Sequence, residues 1–369
     1  MSDSWKKLQQ KLEHCLCPAG NGVFTVNTAK ERKEVLHNAL YGENSDIESQ
    51  WKQILSTLPE SNSKAVMLGI ASDCGGGILR GANWGPLFLR NTLLKNHSEL
   101  SHFDMGDVRV IPHLLHDKYL NDPTISNCRK ALYQDEQSEY PISPLSITEN
   151  VLHDFYAEFP EKGIFGIGGD HSNSYPLTKA YLQAKKKQGK RAAIIHFDAH
   201  TDLLVERLGI DLCFGSWCTH ILDDLHDNSH LVQIGIRSSG KPKSHWEGTF
   251  GVKQHWAHEV REQGAEAVLE TILAHLKEQN IDELYVSFDI DAIDDEFASA
   301  TGTPEPDGLF PEEALLIIKE LATVYPVTGA DMMEIAPFTD SSGRGVSASE
   351  KTLEVGGEIS ALLIEEMSK

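Results

Sequence analysis

Six short apolar runs, at 65–70, 163–167, 192–197, 231–236, 284–290 and 327–335, alternate with longer amphipathic or charged stretches. Runs of this length suit buried strands. The segments between them, such as 176–188 ahead of Gly189 and 259–278, carry the pattern of helices. Repeated strand and helix implies an α/β fold with a mostly parallel sheet covered on both faces. Such a sheet binds ligands beyond the carboxyl ends of its strands, so the residues that follow each run are where chemistry is expected.

Those residues are acids and histidines. Past the run 192–197, Asp198, His200 and Asp202 occupy alternate positions, and Asp289 and Asp291 do the same at the end of 284–290. Side chains at i, i+2 and i+4 of an extended chain point to one side, so each set can converge. His171, in Gly168-Gly169-Asp170-His171-Ser172, follows the run 163–167. Carboxylate oxygens mixed with imidazole nitrogens suit divalent manganese, iron, nickel or zinc, and this many donors exceed what one ion needs. Two metals sharing bridging carboxylates is the economical reading.

At these residues the chain resembles the ureohydrolases: arginases, agmatinases and formimidoylglutamases. The resemblance runs from about residue 64 to the C-terminus. It is carried, in order, by Arg80-Gly81-Ala82-Asn83-Trp84-Gly85-Pro86 with Arg90, Asp104-Met105-Gly106-Asp107-Val108, Gly169-Asp170-His171-Ser172 and Asp198-Ala199-His200-Thr201-Asp202. Ser287-Phe288-Asp289-Ile290-Asp291, Thr301-Gly302-Thr303-Pro304-Glu305-Pro306 and Asp331-Met332-Met333-Glu334-Ile335 complete the set. The resemblance implies a three-layer α-β-α domain over 64–369; residues 1–63 lie outside it and read as an N-terminal helical extension. The resemblance also implies a trimer or hexamer and two divalent ions, manganese foremost with nickel as an alternative. His171, Asp198, Asp202 and Asp289 would hold one ion, and Asp198, His200, Asp289 and Asp291 the other. Glu334 matches the position that pairs with the substrate's guanidinium, and Asp202 the one that relays a proton to the leaving nitrogen. His196, Asp170, Asp104 and Asp107 read as internal hydrogen-bonding groups.

Two departures narrow the activity. Where arginases and agmatinases have His-Gly after the Asp-Ala-His-x-Asp string, this chain has Phe214-Gly215. Formimidoylglutamases also lack that histidine; His220 is the candidate to replace it here. Leu203-Leu204 stands where arginases carry polar residues that grip an α-amino acid, which disfavours arginine as substrate. Glu305 and the His196-Phe197 lead-in favour the agmatinase branch, and Phe214 and Trp217 are expected to narrow the pocket. The expected activity is hydrolysis of a small guanidino compound, such as guanidine, agmatine or a guanidino acid, to urea and an amine or ammonia. Its rivals are a formimino substrate releasing formamide, and a regulatory binding protein without turnover.

The net charge of −22 argues against nucleic acid and anionic membranes as partners. Without a signal-like segment or a long apolar stretch, the chain reads as cytoplasmic. Its six scattered cysteines read as reduced thiols rather than disulfides. Within 1–63 the pattern predicts helices over 5–16 and 47–58, and the polar, proline-punctuated stretch 121–144 reads as a surface loop.

Overall fold

Each of the six apolar runs becomes a strand. The computed structural model describes residues 2–43, 46–77, 79–339 and 346–369. Among them nine strands form one sheet: β1 (Leu16–Cys17), β2 (Ala65–Ile70), β3 (Phe103–Val108), β4 (Gly163–Gly168), β5 (Ala192–Phe197), β6 (Leu231–Ile236), β7 (Lys253–Trp256), β8 (Glu283–Asp289) and β9 (Val327–Met333). Their order is β1-β3-β2-β4-β9-β8-β5-β6-β7. Only the β1–β3 pairing is antiparallel. The apolar runs are buried, apart from half-buried Thr328 in the last, because helices cover both faces. One layer contains the helices Gly85–Asn96, Val346–Ser368, Pro311–Val324 and Ala265–Glu278; the other contains Asp3–Cys15, Pro144–Glu158 and Ser174–Lys187. No helix among the described residues is long and apolar enough to cross a membrane.

Register sets the level of the site. Phe197 lies opposite Phe288, Asp289 opposite Met333 and Ile167 opposite Met332, so β4, β9, β8 and β5 end side by side. Asp289 closes β8, and the segments leaving these four neighbours carry His171, Asp198, His200, Asp202, Asp291 and Glu334.

Several expectations need correction. The stretch 121–144 is not a loop: it contains the helix Asp122–Tyr133, started by Asn121, whose side chain accepts from the Thr124 amide, with Pro123 in the first turn. Asn and Pro were read as loop punctuation, whereas at a helix start they are a cap and a compatible first-turn residue. The helix expected over 259–278 is two helices, Ala257–Gln263 and Ala265–Glu278, separated by Gly264 at φ 87°.

The N-terminal helices expected at 5–16 and 47–58 are Asp3–Cys15 and Ile47–Leu55, with a third at Lys30–Tyr41. This region is knit into the domain. Leu16 and Cys17 extend the sheet beside Val108 and Asp107, Trp51 Nε1 donates to the Met105 carbonyl at 3.1 Å, and Asp107 accepts from the amides of Gly20 and Gly22. All six cysteines are free.

Candidate metal centre

β5 ends at Phe197, and Asp198 leaves the sheet with both carboxylate oxygens engaged. Its Oδ2 lies 3.0 Å from His171 Nδ1, and its Oδ1 lies 3.3 Å from His200 Nδ1. On one side of Asp198, His171 Nδ1 also faces Asp202 Oδ2 at 3.3 Å and Asp289 Oδ2 at 3.0 Å. On the other, His200 Nδ1 faces Asp291 Oδ2 at 3.2 Å. All six side chains meet, and all but His200 are buried. The extended parity that aligns Asp198, His200 and Asp202 is broken at Asp202, whose φ of 49° turns its carboxylate toward His171.

The histidines are held with their donor atoms facing inward. His171 Nε2 lies 3.1 Å from Ser287 Oγ, whose hydroxyl is committed to Asp331 Oδ1 at 2.8 Å. Ser287 therefore accepts, the His171 proton sits on Nε2, and Nδ1 presents its lone pair to the carboxylates. That Nδ1 is buried and meets none of its three carboxylate neighbours in hydrogen-bond geometry. His200 repeats the device: its Nε2 approaches Glu305 Oε1 at 3.5 Å while Nδ1 faces the cluster. An imidazole whose outer N–H is held by a carboxylate or hydroxyl is the usual support of a metal ligand. Donors at adjacent corners of an octahedron with bonds of about 2.1 Å stand about 3.0 Å apart, which agrees with the separations around His171. The residues fit divalent cations.

A second ring of contacts fixes the ligands. Trp217 Nε1 donates to Asp202 Oδ2 at 2.8 Å, Thr303 Oγ1 to Asp291 Oδ2 at 3.0 Å, and the Ala199 amide to Asp291 Oδ1 at 3.1 Å. Gln233 Nε2 donates to His196 Nδ1, so His196 Nε2 carries the proton that reaches Asp198 Oδ2 at 2.9 Å. Burial pushes the His196 pKa down, which keeps that ring neutral in its supporting role. Arg237 pins the loop bearing Glu305 by donating to the carbonyls of Asp291 and Glu305, each at 2.7 Å.

Burial raises the Asp198 carboxyl, but the imidazoles of His171, His196 and His200 packed around it outweigh that and hold the group well below its ordinary pKa. Asp202, Asp289 and Glu334 are pushed well above theirs, by burial first and by neighbouring carboxylates second. Such a group of acids calls for positive charge.

Glu334 follows β9 at φ 64°, a conformation that turns its side chain back over the end of β4. Its Oε1 accepts the His171 amide at 2.9 Å. Its Oε2 faces Gly302, where a Cβ would come within 3.4 Å of that oxygen and 3.0 Å of the Leu79 carbonyl. The glycine leaves a small cradle beside the carboxylate.

A sequence model of the arginase family matches residues 63–362. The chain belongs to the arginase family. It is similar to the mitochondrial guanidino acid hydrolase of Homo sapiens, with 29% identity over 78% of this chain and 76% of that protein. It is also similar to the agmatinase of Bacillus subtilis, with 26% identity over 82% and 94%. Other matches are partial: the chain spans 51% of the Gallus gallus mitochondrial agmatinase and 59% of the Streptomyces clavuligerus proclavaminate amidinohydrolase, each at 36% identity over about half of this chain. Solved structures share the arginase fold. The proclavaminate amidinohydrolase superposes with TM-score 0.60 at 25% identity, covering 83% of this chain and 92% of that one; a Bacillus subtilis arginase gives 0.62 at 22%, covering 82% and 98%.

Against this arginase-family frame, three residues differ from expectation or refine it. Trp217 is not a pocket wall. It is 0% exposed, packs on the rings of His171 and His196 at 5.0 and 5.1 Å, and acts through its indole N–H on Asp202. His220 does not occupy the place of the missing histidine. Its Nε2 is 2.9 Å from the Asp211 carbonyl and its ring packs on Tyr175, so its contacts run away from the cluster. Phe214 is half-buried with its ring against Gly77, and its amide donates to the Gly75 carbonyl. Gln233 and Arg237 were missed by sequence reasoning, and Ser287 and Thr303 were read only as members of motif strings, without a role. A polar residue inside a wholly buried strand, as Ser287 and Gln233 are, was the available signal.

Proposed function

We propose that this chain is a dinuclear metal-dependent hydrolase that cleaves a C–N bond of a small guanidino compound, releasing urea and an amine or ammonia. The observation that carries the reading is the paired arrangement of His171 and His200, each aiming Nδ1 at a different oxygen of Asp198, with Glu334 beside them. His171, Asp198, Asp202 and Asp289 would hold one ion, and Asp198, His200, Asp289 and Asp291 the other, with manganese the ion the resemblance implies. When bound, the ions supply Lewis-acid activation of water near neutral pH.

The side chains divide the remaining work. Glu334 Oε2 pairs with the planar cation of the substrate, for which a carboxylate is the natural partner. Asp202 takes the proton of the attacking water and returns it to the departing nitrogen, since an amine leaves poorly unless protonated. Trp217 keeps Asp202 oriented for that transfer. With Phe214 in place of the family histidine and His220 turned away, Asp202 and water carry the proton. The human guanidino acid hydrolase and the agmatinases by name act on guanidino compounds, which supports this substrate class.

A panel of guanidine, agmatine, guanidino acids and formiminoglutamate, assayed for urea and formamide on manganese-loaded protein, tests the reading. Urea from a guanidino compound is expected. Formamide alone moves the chain to formimino chemistry, and binding without either product makes it a regulatory binder. A cytoplasmic homo-oligomer is the accompanying proposal, checked by sedimentation and fractionation.

A further inference from the structure

Several segments of chain meet beside the site. Leu204, two residues past Asp202, donates its amide to the Gly215 carbonyl; Phe214 donates to Gly75; the Phe214 ring lies 3.4 Å from the Cβ position of Gly77; and Leu79 reaches Gly302 beside Glu334. Between Leu204 and Phe214 a two-residue hairpin is closed by Arg207 and Ile210 exchanging amide hydrogen bonds at 2.8 and 3.0 Å. Its tip, Leu208 and Gly209, takes φ values of 53° and 84°. Positive φ at both central residues is the tight turn that matches strand twist. The guanidinium of Arg207 lies over the Phe214 ring, 4.9 Å from its centroid.

This placement has a chemical consequence. A stacked guanidinium uses its face, leaving the N–H donors in its plane directed outward as a fork that matches a carboxylate. Among the described residues no carboxylate pairs with Arg207; Asp211 is engaged by Lys118 and Tyr119, and Glu305 by His200 and Ser238. Arg80, next to Leu79 in the chain, donates to the Asp73 carbonyl. The interior end of the site is strongly acidic, and the Phe214 side offers a positive fork.

We infer that Arg207, stacked on Phe214, binds a carboxylate at the far end of the substrate, so that the preferred substrates are ω-guanidino acids rather than guanidino amines. The inference rests on the hydrolase reading above and names its substrate class. An ammonium tail, as in agmatine, would meet a like charge at Arg207, while an uncharged alkyl tail would leave the fork unused.

The test uses full-length, manganese-loaded protein and measures both binding by calorimetry and urea release. Its probes are guanidinoacetate, 3-guanidinopropanoate, 4-guanidinobutanoate, agmatine and uncharged n-butylguanidine. Wild type is expected to prefer one of the acids. Arg207→Ala should lower the ratio of acid to n-butylguanidine kcat/KM about 10- to 100-fold, mainly through KM, with metal content unchanged. Arg207→Lys should recover only part of the ratio, and Arg207→Glu should turn it toward agmatine. An acid-to-alkyl ratio untouched by Arg207→Ala, or a wild-type preference for agmatine, overturns the inference while leaving the hydrolase reading in place. Binding of an acid that depends on Arg207 without urea release does the reverse. Protein that neither binds nor hydrolyses any of the five compounds overturns both.

Discussion

Asp198 spends one oxygen on each half of the cluster, which makes it the residue whose loss should be felt twice. Asp198→Asn keeps the shape but replaces a bridging anion with a neutral, weaker ligand. It should therefore lose most of both metals and most turnover, as elemental analysis and a urea assay would show; two ions retained per chain would remove Asp198 as the bridge. Glu334 makes the opposite case. Its described contacts are the His171 amide and the Gly302 cradle, so Glu334→Gln should keep both metals while turnover falls through lost pairing with the substrate cation. An emptied metal site in that variant would mean Glu334 has been given the wrong task. The clustered acids and histidines stood out in the sequence because they close or follow the ends of neighbouring strands, although the turn at Asp202 and the short helix at Asp291 depart from strict strand parity. The work of Trp217, Ser287 and Thr303 was not legible there, since each acts on a ligand distant in sequence and only the fold brings the two together.

At the scale of elements, the strands easiest to read were the wholly apolar ones, and β3 shows why others were harder. Asp104 and Asp107 interrupt its apolar pattern, yet both are drawn into the fold by Arg90, which is only 2% exposed, donates to both acids and reaches the Gly106 carbonyl. The charges that obscure the strand are what tie it to the helix Gly85–Asn96. Arg90→Met should destabilise the protein by about 3–5 kcal/mol, because two buried carboxylates lose their partner. A denaturation midpoint that moves by less than a third of this would rule out that role. β7 escaped notice as a polar edge strand, and 121–144 because cap and first-turn residues look like loop residues until the helix is seen. The helices Pro144–Glu158 and Ser174–Lys187 are joined by Glu149, which accepts from Lys179 at 2.7 Å and Tyr175 at 3.1 Å and meets His116 at 3.2 Å. Burial pushes the Glu149 carboxyl up, but these partners, His116 first and Lys179 next, pull it from an ordinary 4.5 down to about 2. A depressed acid stabilises fully above its unfolded pKa, and that contribution disappears as pH falls through its folded value. The stability gap between wild type and Glu149→Gln should thus be full at pH 7 and shrink between about pH 4.5 and pH 2. Urea melts across that range measure it, and a constant gap would show that the carboxylate's charge is not what joins the helices.

For the whole molecule, the cluster lies where chain leaving β4, β5 and β8 meets, so whatever occupies it acts on the centre of the sheet. Asp198, Asp202, Asp289 and Asp291 are gathered there against the imidazoles of His171, His196 and His200. Two like charges 4 Å apart repel by about 4 kcal/mol at an effective dielectric of 20, so folding the empty cluster works against itself. A ligand bound by the folded state alone stabilises by RT ln(1 + [L]/Kd), close to 1.4 kcal/mol for each tenfold rise in free ligand above Kd at a single site. With two sites filling together the slope approaches twice that. Chelator-stripped protein should therefore unfold at a lower temperature than loaded protein. Titrating manganese back should raise the midpoint steadily with the logarithm of its free concentration, and magnesium, which prefers to keep its water, should do so less. Calorimetric melts of wild type and Asp198→Asn across the same titration read this directly. The variant should lose most of the slope, because neither half of the cluster keeps its shared carboxylate. A wild-type midpoint indifferent to chelator and to manganese would mean that the acids are held together by proton sharing and hydrogen bonds alone, and the metal centre would have to be abandoned with the mechanism built on it.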